Sequence, residues 1–226
     1  MKLDYLKGID SYIEQKEEMY HFNSDTVLLG NFIKVKKTDT VLDVGCNNGA
    51  LLLYASKAKS LCGIDVFDDV ISLAKKNLER NHVKAELTVS RLQDYQHPSF
   101  DVIISNPPYF NTKNESLKNE NKYLKAARHE ENLTLEELLI HVSRLLKDNG
   151  TFYLVYRPDR LFELFQVSEK YSLKPYRLQI AYASKNKNAK SILIAFKKNM
   201  PNMSMTIEEA IFLNDESTYV KGGEES

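Results

Sequence analysis

Residues 40–49 read Thr40, Val41, Leu42, Asp43, Val44, Gly45, Cys46, Asn47, Asn48, Gly49. The apolar run over 40–44 carries an acid near its end and breaks at Gly45. Residues 49–55, rich in leucine and alanine, then have the length and apolar content of a helix. Strand, tight turn and helix follow in that order. Glycine at 45 and 49 lets the turn adopt left-handed backbone and approach a ligand closely. Asn47 stands between them, and asparagine is the side chain that best tolerates the same conformation. The two glycines do not supply the G-x-G-x-x-G of a nicotinamide dinucleotide fold.

The pattern repeats outward from this unit. Residues 61–65 read as a strand ending in Asp65, and 68–81 as a helix behind an Asp cap, with Val70, Ile71, Leu73, Ala74 and Leu78 at helical spacing. Residues 85–89 alternate as a strand, and 100–105 form a buried-strand run. The spacing predicts a helix over 133–146, opened by the capping box of Thr134 and Glu137. A buried strand over 151–156 and a helix from about 158 to 170 complete the alternation, which argues for a doubly wound, mostly parallel α/β sheet. The last third changes rhythm. Two apolar runs, 177–183 and 191–197, are joined by a polar segment without a helix, so a terminal antiparallel hairpin is expected. Residues 1–36 are expected to be a helical lead-in, with Ser24 and Asp25 as caps, and 1–226 to form one domain. The stretch 109–132 is long for a loop in a compact domain, a length usually tied to function or disorder.

The 226 residues are 42% apolar and 27% charged, with 31 basic and 31 acidic side chains. A uniformly basic nucleic-acid binder is thereby excluded, and a polyanion would have to meet a local patch. Such patches exist: residues 183–200 carry five lysines and no acid, whereas 208–226 carry six acids and one lysine. Cys46 and Cys62 are too few for a disulfide framework and lack the paired spacing of a zinc site, so no metal is expected. The charged N-terminus and the absence of a long apolar run predict neither secretion nor a membrane span, and a cytoplasmic location.

Chemistry enters at Asn106, Pro107, Pro108, Tyr109, directly after Val102, Ile103, Ile104. Asn-Pro is a common turn opener. The same loop is similar to the amine-binding loop of methyltransferases that act on conjugated nitrogens. An exocyclic adenine amine or a carboxamide shares its lone pair with the adjoining π system. Two aligned acceptors, the Asn106 side-chain oxygen and the Pro107 carbonyl, would reposition that lone pair, with the prolines fixing the turn and Tyr109 stacking on the base. Asp65, closing the second strand, stands where Rossmann-like folds hold ribose hydroxyls; it also reads as an acid capping the next helix.

Residues 41–49 resemble the first motif of class I S-adenosylmethionine methyltransferases, whose seven-stranded sheet ends in an antiparallel hairpin. That resemblance implies S-adenosylmethionine as cofactor, bound by Asp43, Gly45, Cys46, Asn47, Gly49, Asp65 and Val66. Asp43 would sit near the methionine amino group. The acid expected to read the cofactor adenine falls at Arg91, which cannot accept a hydrogen bond, so the role passes to Leu92 and Asp94 or to a backbone contact. A narrower resemblance covers most of the chain. The stretch 19–29 with its aromatic, Asp and paired leucines, the Asn-Pro-Pro-Tyr-Phe loop over 106–110, and Ala127, Arg128, His129, Glu130 resemble the bacterial tRNA(Val) adenine-N6 methyltransferase family.

Membership would imply methylation of the adenosine 3′ of the anticodon of a valine tRNA, with tRNA as partner. Phe110 would wall the pocket. Arg128 and His129 read either as ordinary surface residues or, with Lys185 and Lys187 of the hairpin, as phosphate contacts. The loop lysines Lys113, Lys118, Lys122 and Lys125 extend the same basic patch. A protein-glutamine methyltransferase of the release-factor type poses the same lone-pair problem but carries a sizeable N-terminal helical domain. A non-catalytic RNA-binding module on this fold is a third reading.

Overall fold

The computed structural model describes residues 2–15, 23–107, 133–200 and 202–214. In chain order these form β1 (Lys2–Leu6), β2 (Ser11–Gln15), α1 (Ser24–Phe32), β3 (Thr40–Val44), α2 (Ala50–Tyr54), β4 (Ser60–Asp65), α3 (Asp68–Arg80), β5 (Glu86–Val89) and β6 (Phe100–Ser105). After them come α4 (Leu135–Leu145), β7 (Leu146–Tyr156), a 3₁₀ turn (Pro158–Arg160), α5 (Leu161–Lys170), β8 (Leu173–Tyr182), β9 (Ala189–Lys198), β10 (Thr206–Ile207) and β11 (Ile211–Phe212).

The central sheet runs β8-β9-β7-β6-β3-β4-β5, with β9 antiparallel to both β7 and β8 and the remaining pairs parallel. The expected seven strands and terminal hairpin are present. Two further strands, β10 and β11, lie parallel to the β8 edge and bring the sheet to nine. Each is two residues long, too short for any periodicity to show in sequence. The chain turns to opposite sides of β3, pairing it with β4 and with β6. That makes the carboxyl ends of these strands the topological switch point, where open α/β sheets bind ligands.

Side chains alternate along each strand and sort into two apolar layers. Val41, Val102, Ile104, Tyr153 and Val155 pack with Leu28, Leu29, Phe32, Leu51, Leu52 and Leu78 of α1, α2 and α3. Leu42, Ile64, Ile103, Phe152 and Leu154 pack on the opposite face with Leu138, Leu139, Val142 and Leu164 of α4 and α5. The capping box at the start of α4 forms as the spacing predicts: Glu137 N–H donates to Thr134 Oγ1 at 3.1 Å and Thr134 N–H to Glu137 Oε2 at 2.8 Å.

Two expectations need correction. Among the described residues of the expected helical lead-in over 1–36, α1 is helical, whereas β1 and β2 pair as an antiparallel hairpin. The outer edge of β2 is covered by side chains rather than a strand. Asn77 Oδ1 accepts from Glu14 N–H at 2.8 Å and Asn81 Oδ1 from Tyr12 N–H at 3.2 Å, while their Nδ2 groups donate to the carbonyls of Glu14 and Tyr12. Asparagines one helical turn apart, Asn77 on α3 and Asn81 at its C-cap, thus stand in for a strand's ladder. The caps also shift by one or two residues. Asn23, not Ser24 or Asp25, caps α1 by accepting the amides of Asp25 and Thr26. Phe67 occupies the N-cap of α3 without a side-chain bond, and Asp68 and Asp69 instead lie in the first turn, where they favour the positive end of the helix dipole. Among the described residues no helix is long and apolar enough to cross a membrane.

Candidate active site at the carboxyl ends of the strands

β3 carries Asp43 into the sheet at 0% exposure. Among the described residues neither of its carboxylate oxygens has a hydrogen-bond partner. Burial, reinforced by the neighbouring Asp65 carboxylate, pushes Asp43 up to about 8. An uncompensated buried carboxylate is costly, and a cationic ligand group placed against it would relieve that cost. Asp65 ends β4 with its oxygens held by backbone: Oδ2 accepts from Asn47 N–H at 3.1 Å and Oδ1 from Phe67 N–H at 3.3 Å. Burial raises Asp65 as well, against the lowering effect of the Asn47, Phe67 and Val66 amides. Each oxygen can accept a second bond, so Asp65 retains capacity for a diol. The cap reading and the ligand reading are therefore compatible.

The turn between β3 and α2 takes the left-handed backbone that its residues allow, with φ of 72° at Gly45, 47° at Asn47 and 85° at Gly49. Its amides, however, turn inward. Gly45 and Cys46 donate to the Ile64 carbonyl at 3.0 and 2.9 Å, and Asn47 donates to Asp65. What Gly45 presents outward is its Cα, and a Cβ built there would meet nothing within 4 Å. Open space therefore lies in front of the turn, beside an unpaired carboxylate. Cys46 is buried, and burial followed by the fields of Asp43 and Asp65 pushes its thiol well up. These features fit a ligand bearing an ammonium group and vicinal hydroxyls.

β6 delivers the second half of the site. Ser105 is buried and donates Oγ–H to the Val44 carbonyl at 3.1 Å, tying the ends of β6 and β3 together. Asn106 follows, half-buried, and its Nδ2 donates to Thr26 Oγ1 at 3.0 Å. Its Oδ1 meets no donor among the described residues. Pro107 is buried. Thr26 is 6% exposed, and the start of its helix is anchored by Ser191 Oγ–H donating to Asp25 Oδ1 at 2.6 Å. Pro108, Tyr109, Phe110, Arg128 and His129 lie outside the described residues, as do the lysines of the 109–132 stretch.

Lys185 and Lys187 are exposed in the turn between β8 and β9. Register sets that turn on the same rim as Asn106: Ser105 pairs with Leu154, and Tyr156, two residues further on, pairs with Ile192 near the start of β9. Leu92 is a core side chain, so only its backbone can meet a ligand, and its carbonyl already accepts from Arg144 Nη2 at 3.3 Å. Asp94 is exposed and faces α4, close enough to raise the pKa of His141, which burial and Arg144 lower overall.

Three residues escaped sequence reading. Thr26 orients Asn106. Asn77, fully buried, donates to the Asn48 carbonyl at 3.0 Å and so holds the turn between β3 and α2. Asn48 itself is buried, and its Nδ2 meets no partner among the described residues. Asn77 carried a signal: it falls four residues after Leu73 and seven after Val70, a polar side chain on an apolar helix face, which must find partners when buried.

The family described as "Methyltransferase small domain" matches residues 20–163. A relative from Bacteroides fragilis, tRNA1(Val) (adenine(37)-N6)-methyltransferase, is 32% identical over 76% of this chain and 75% of its own length. A protein of the same name from Pseudoalteromonas atlantica is 28% identical over 84% of this chain and 79% of its own. Among solved structures, the T. thermophilus 16S rRNA N2 G1207 methyltransferase in complex with AdoMet and guanosine superposes with a TM-score of 0.63 at 17% identity, covering 88% of this chain and 50% of that one. A methyltransferase from Pyrococcus furiosus gives 0.61 at 19% identity, over 84% and 90%. The structural likenesses carry the fold, that of the class I methyltransferases. The sequence matches make this chain a member of the methyltransferase small domain family and of its tRNA1(Val) (adenine(37)-N6)-methyltransferase branch.

Proposed function

We propose that this chain, working as one cytoplasmic domain, methylates N6 of an adenosine in tRNA, the adenosine 3′ of the anticodon of a valine tRNA. The observation that carries this reading is the Asn106–Thr26 hydrogen bond, which turns the amide so that its oxygen is the atom left for an incoming N–H donor. A relative's name supplies the substrate: the Bacteroides fragilis protein is a tRNA1(Val) (adenine(37)-N6)-methyltransferase.

S-adenosylmethionine, when bound, supplies an electrophilic methyl on a sulfonium. Asp43 would pair with its amino group and Asp65 with its ribose hydroxyls, while the turn 45–49, with Gly45 Cα facing open space, admits the ligand without a side-chain clash. Val66, Leu92 and Asp94 remain the stretch proposed to border the cofactor's ribose and adenine. Asn106 Oδ1 and the Pro107 carbonyl would accept the two N–H bonds of the adenine amine, drawing its lone pair out of conjugation. Tyr109 would stack on the base and Phe110 wall it. No strong base is required, because the nitrogen becomes acidic as it gains the methyl and its proton can leave to water. Catalysis then rests on positioning and electrostatics. The target base must be splayed from its stack, which costs less in an RNA loop than in a duplex.

The test is transfer of labelled methyl from S-adenosylmethionine to unmodified tRNA and, in parallel, to release factor, followed by nucleoside analysis. N6-methyladenosine in tRNA supports the proposal. Label on release factor alone establishes the glutamine reading and overturns it.

A further inference from the structure

Away from the strand ends, Cys62, Glu86 and His97 come together on one face of the sheet. Cys62 of β4 and Glu86 of β5 are register partners, and paired residues on adjacent strands project to the same side. His97, in the connection leading to β6, closes over them. The thiol, carboxylate and imidazole ligand atoms all lie within 4.8 Å of one another, with Cys62 Sγ 3.9 Å from His97 Nε2.

Three observations make this more than proximity. First, the imidazole is oriented as metal-bound histidines are: His97 Nδ1 lies 2.7 Å from the Pro98 carbonyl. Donation of Nδ1–H to that oxygen leaves the Nε2 lone pair aimed at the sulfur. Second, the ring is held by stacking on Phe100 at 4.4 Å and 17° and lies parallel to the Tyr95 ring at 5.9 Å and 9°. Third, Tyr95 is 6% exposed and sets its hydroxyl close to the Cys62 sulfur. A buried hydroxyl beside a sulfur is a donor that a thiolate can accept.

We infer that Cys62, His97 and Glu86 form a site for one zinc-class divalent cation, bound through Sγ, Nε2 and a carboxylate oxygen with a fourth position open to water on the exposed Glu86 side. Tetrahedral zinc with bonds of about 2.3 Å to sulfur and about 2.0–2.1 Å to nitrogen separates the two ligand atoms by roughly 3.6 Å, so the observed spacing needs to close by a few tenths of an ångström. The thiol proton leaves to solvent on binding, and no redox step is involved. The expectation of no metal rested on cysteine spacing, and a site built from register partners leaves no spacing motif to read. Such a cation would pin the segment that carries Leu92 and Asp94.

The test uses the intact protein, stripped of metal and titrated with cobalt(II) chloride. The expected result is one equivalent bound, with a thiolate-to-cobalt charge-transfer band that zinc bleaches on displacement. Cys62→Ser should abolish the band, and Glu86→Gln, at an exposed position that leaves the fold intact, should weaken cobalt binding by roughly tenfold or more. No charge-transfer band in the wild type, a band retained in Cys62→Ser, or unchanged affinity in Glu86→Gln would each overturn the site. None of these readouts depends on methyl transfer.

Discussion

Asn106 donates Nδ2–H to the Thr26 hydroxyl across 3.0 Å, joining the end of β6 to the first turn of α1, eighty residues away in sequence. A terminal amide has two faces that differ only in which atom donates and which accepts. Thr26 selects one of them. The Asn106 oxygen, proposed as the amine's acceptor, is thus placed by a residue that need not touch a substrate.

Thr26→Val keeps the shape and removes the partner. The amide is then free to turn, and Nδ2 loses its acceptor, a change worth about 1–3 kcal/mol. We expect kcat to fall by roughly 10- to 100-fold, with cofactor affinity measured by calorimetry within about twofold of wild type. Asn106→Ala should be at least as slow and equally sparing of cofactor binding. Weakened cofactor binding in either variant would show that the pair belongs to the cofactor site rather than to the amine.

Asp43 sets an opposition between stability and binding. Its pKa rises from an ordinary 3.8 to about 8 in the folded protein. Between those values the native state holds a proton that the unfolded chain has lost, so stability is full below about pH 4 and declines as pH rises towards 8. The slope is at most on the order of 1 kcal/mol per pH unit. Asp43→Asn removes the titration. Cofactor-free Asp43→Asn should therefore melt progressively higher than wild type as the pH is taken from 5 to 8, while binding S-adenosylmethionine at least tenfold more weakly. Parallel melting curves across that range would mean that Asp43 is ionised and partnered in the free protein.

Asn77 on α3 and Asn81 at its C-cap sit one turn apart and both bond β2, yet they should differ in effect. Asn77 is fully buried and also holds the Asn48 carbonyl; Asn81 is more exposed. Asn77→Ala strands buried backbone groups on two segments and should cost about 2–4 kcal/mol in denaturant unfolding, with a measurable loss of cofactor affinity through the 45–49 turn. Asn81→Ala should cost about 1 kcal/mol or less and leave the cofactor unaffected. Equal losses would mean that the hairpin, not the turn, depends on Asn77.

The contrast explains what could be read from sequence. The parallel sheet and the glycine turn announce themselves because periodicity and backbone chirality act locally. The Thr134–Glu137 box does too, since its residues are three apart. The β1–β2 hairpin was hidden because its outer edge is completed by asparagine side chains more than sixty residues away. Thr26 looked like one more helix-start residue, and its partner eighty residues on is fixed only by the fold. Cys62, Glu86 and His97 are brought together by strand register, which no spacing rule encodes.

Lys185 and Lys187 present the last prediction. Both project from the β8–β9 turn on the rim that carries Asn106, in a stretch without acids, on a chain whose overall charge is zero. Any attraction for RNA must then be local, and a phosphate contact releases counterions in proportion to the charges involved. The Lys185→Ala, Lys187→Ala double variant should bind tRNA more weakly and flatten the plot of log affinity against log salt by about 1.5, with cofactor affinity unchanged because β7 and β6 stand between the β8–β9 hairpin and β3. If affinity falls while the salt slope stays the same, the lysines shape the hairpin rather than contact phosphate. If neither changes, the RNA follows another path across the rim.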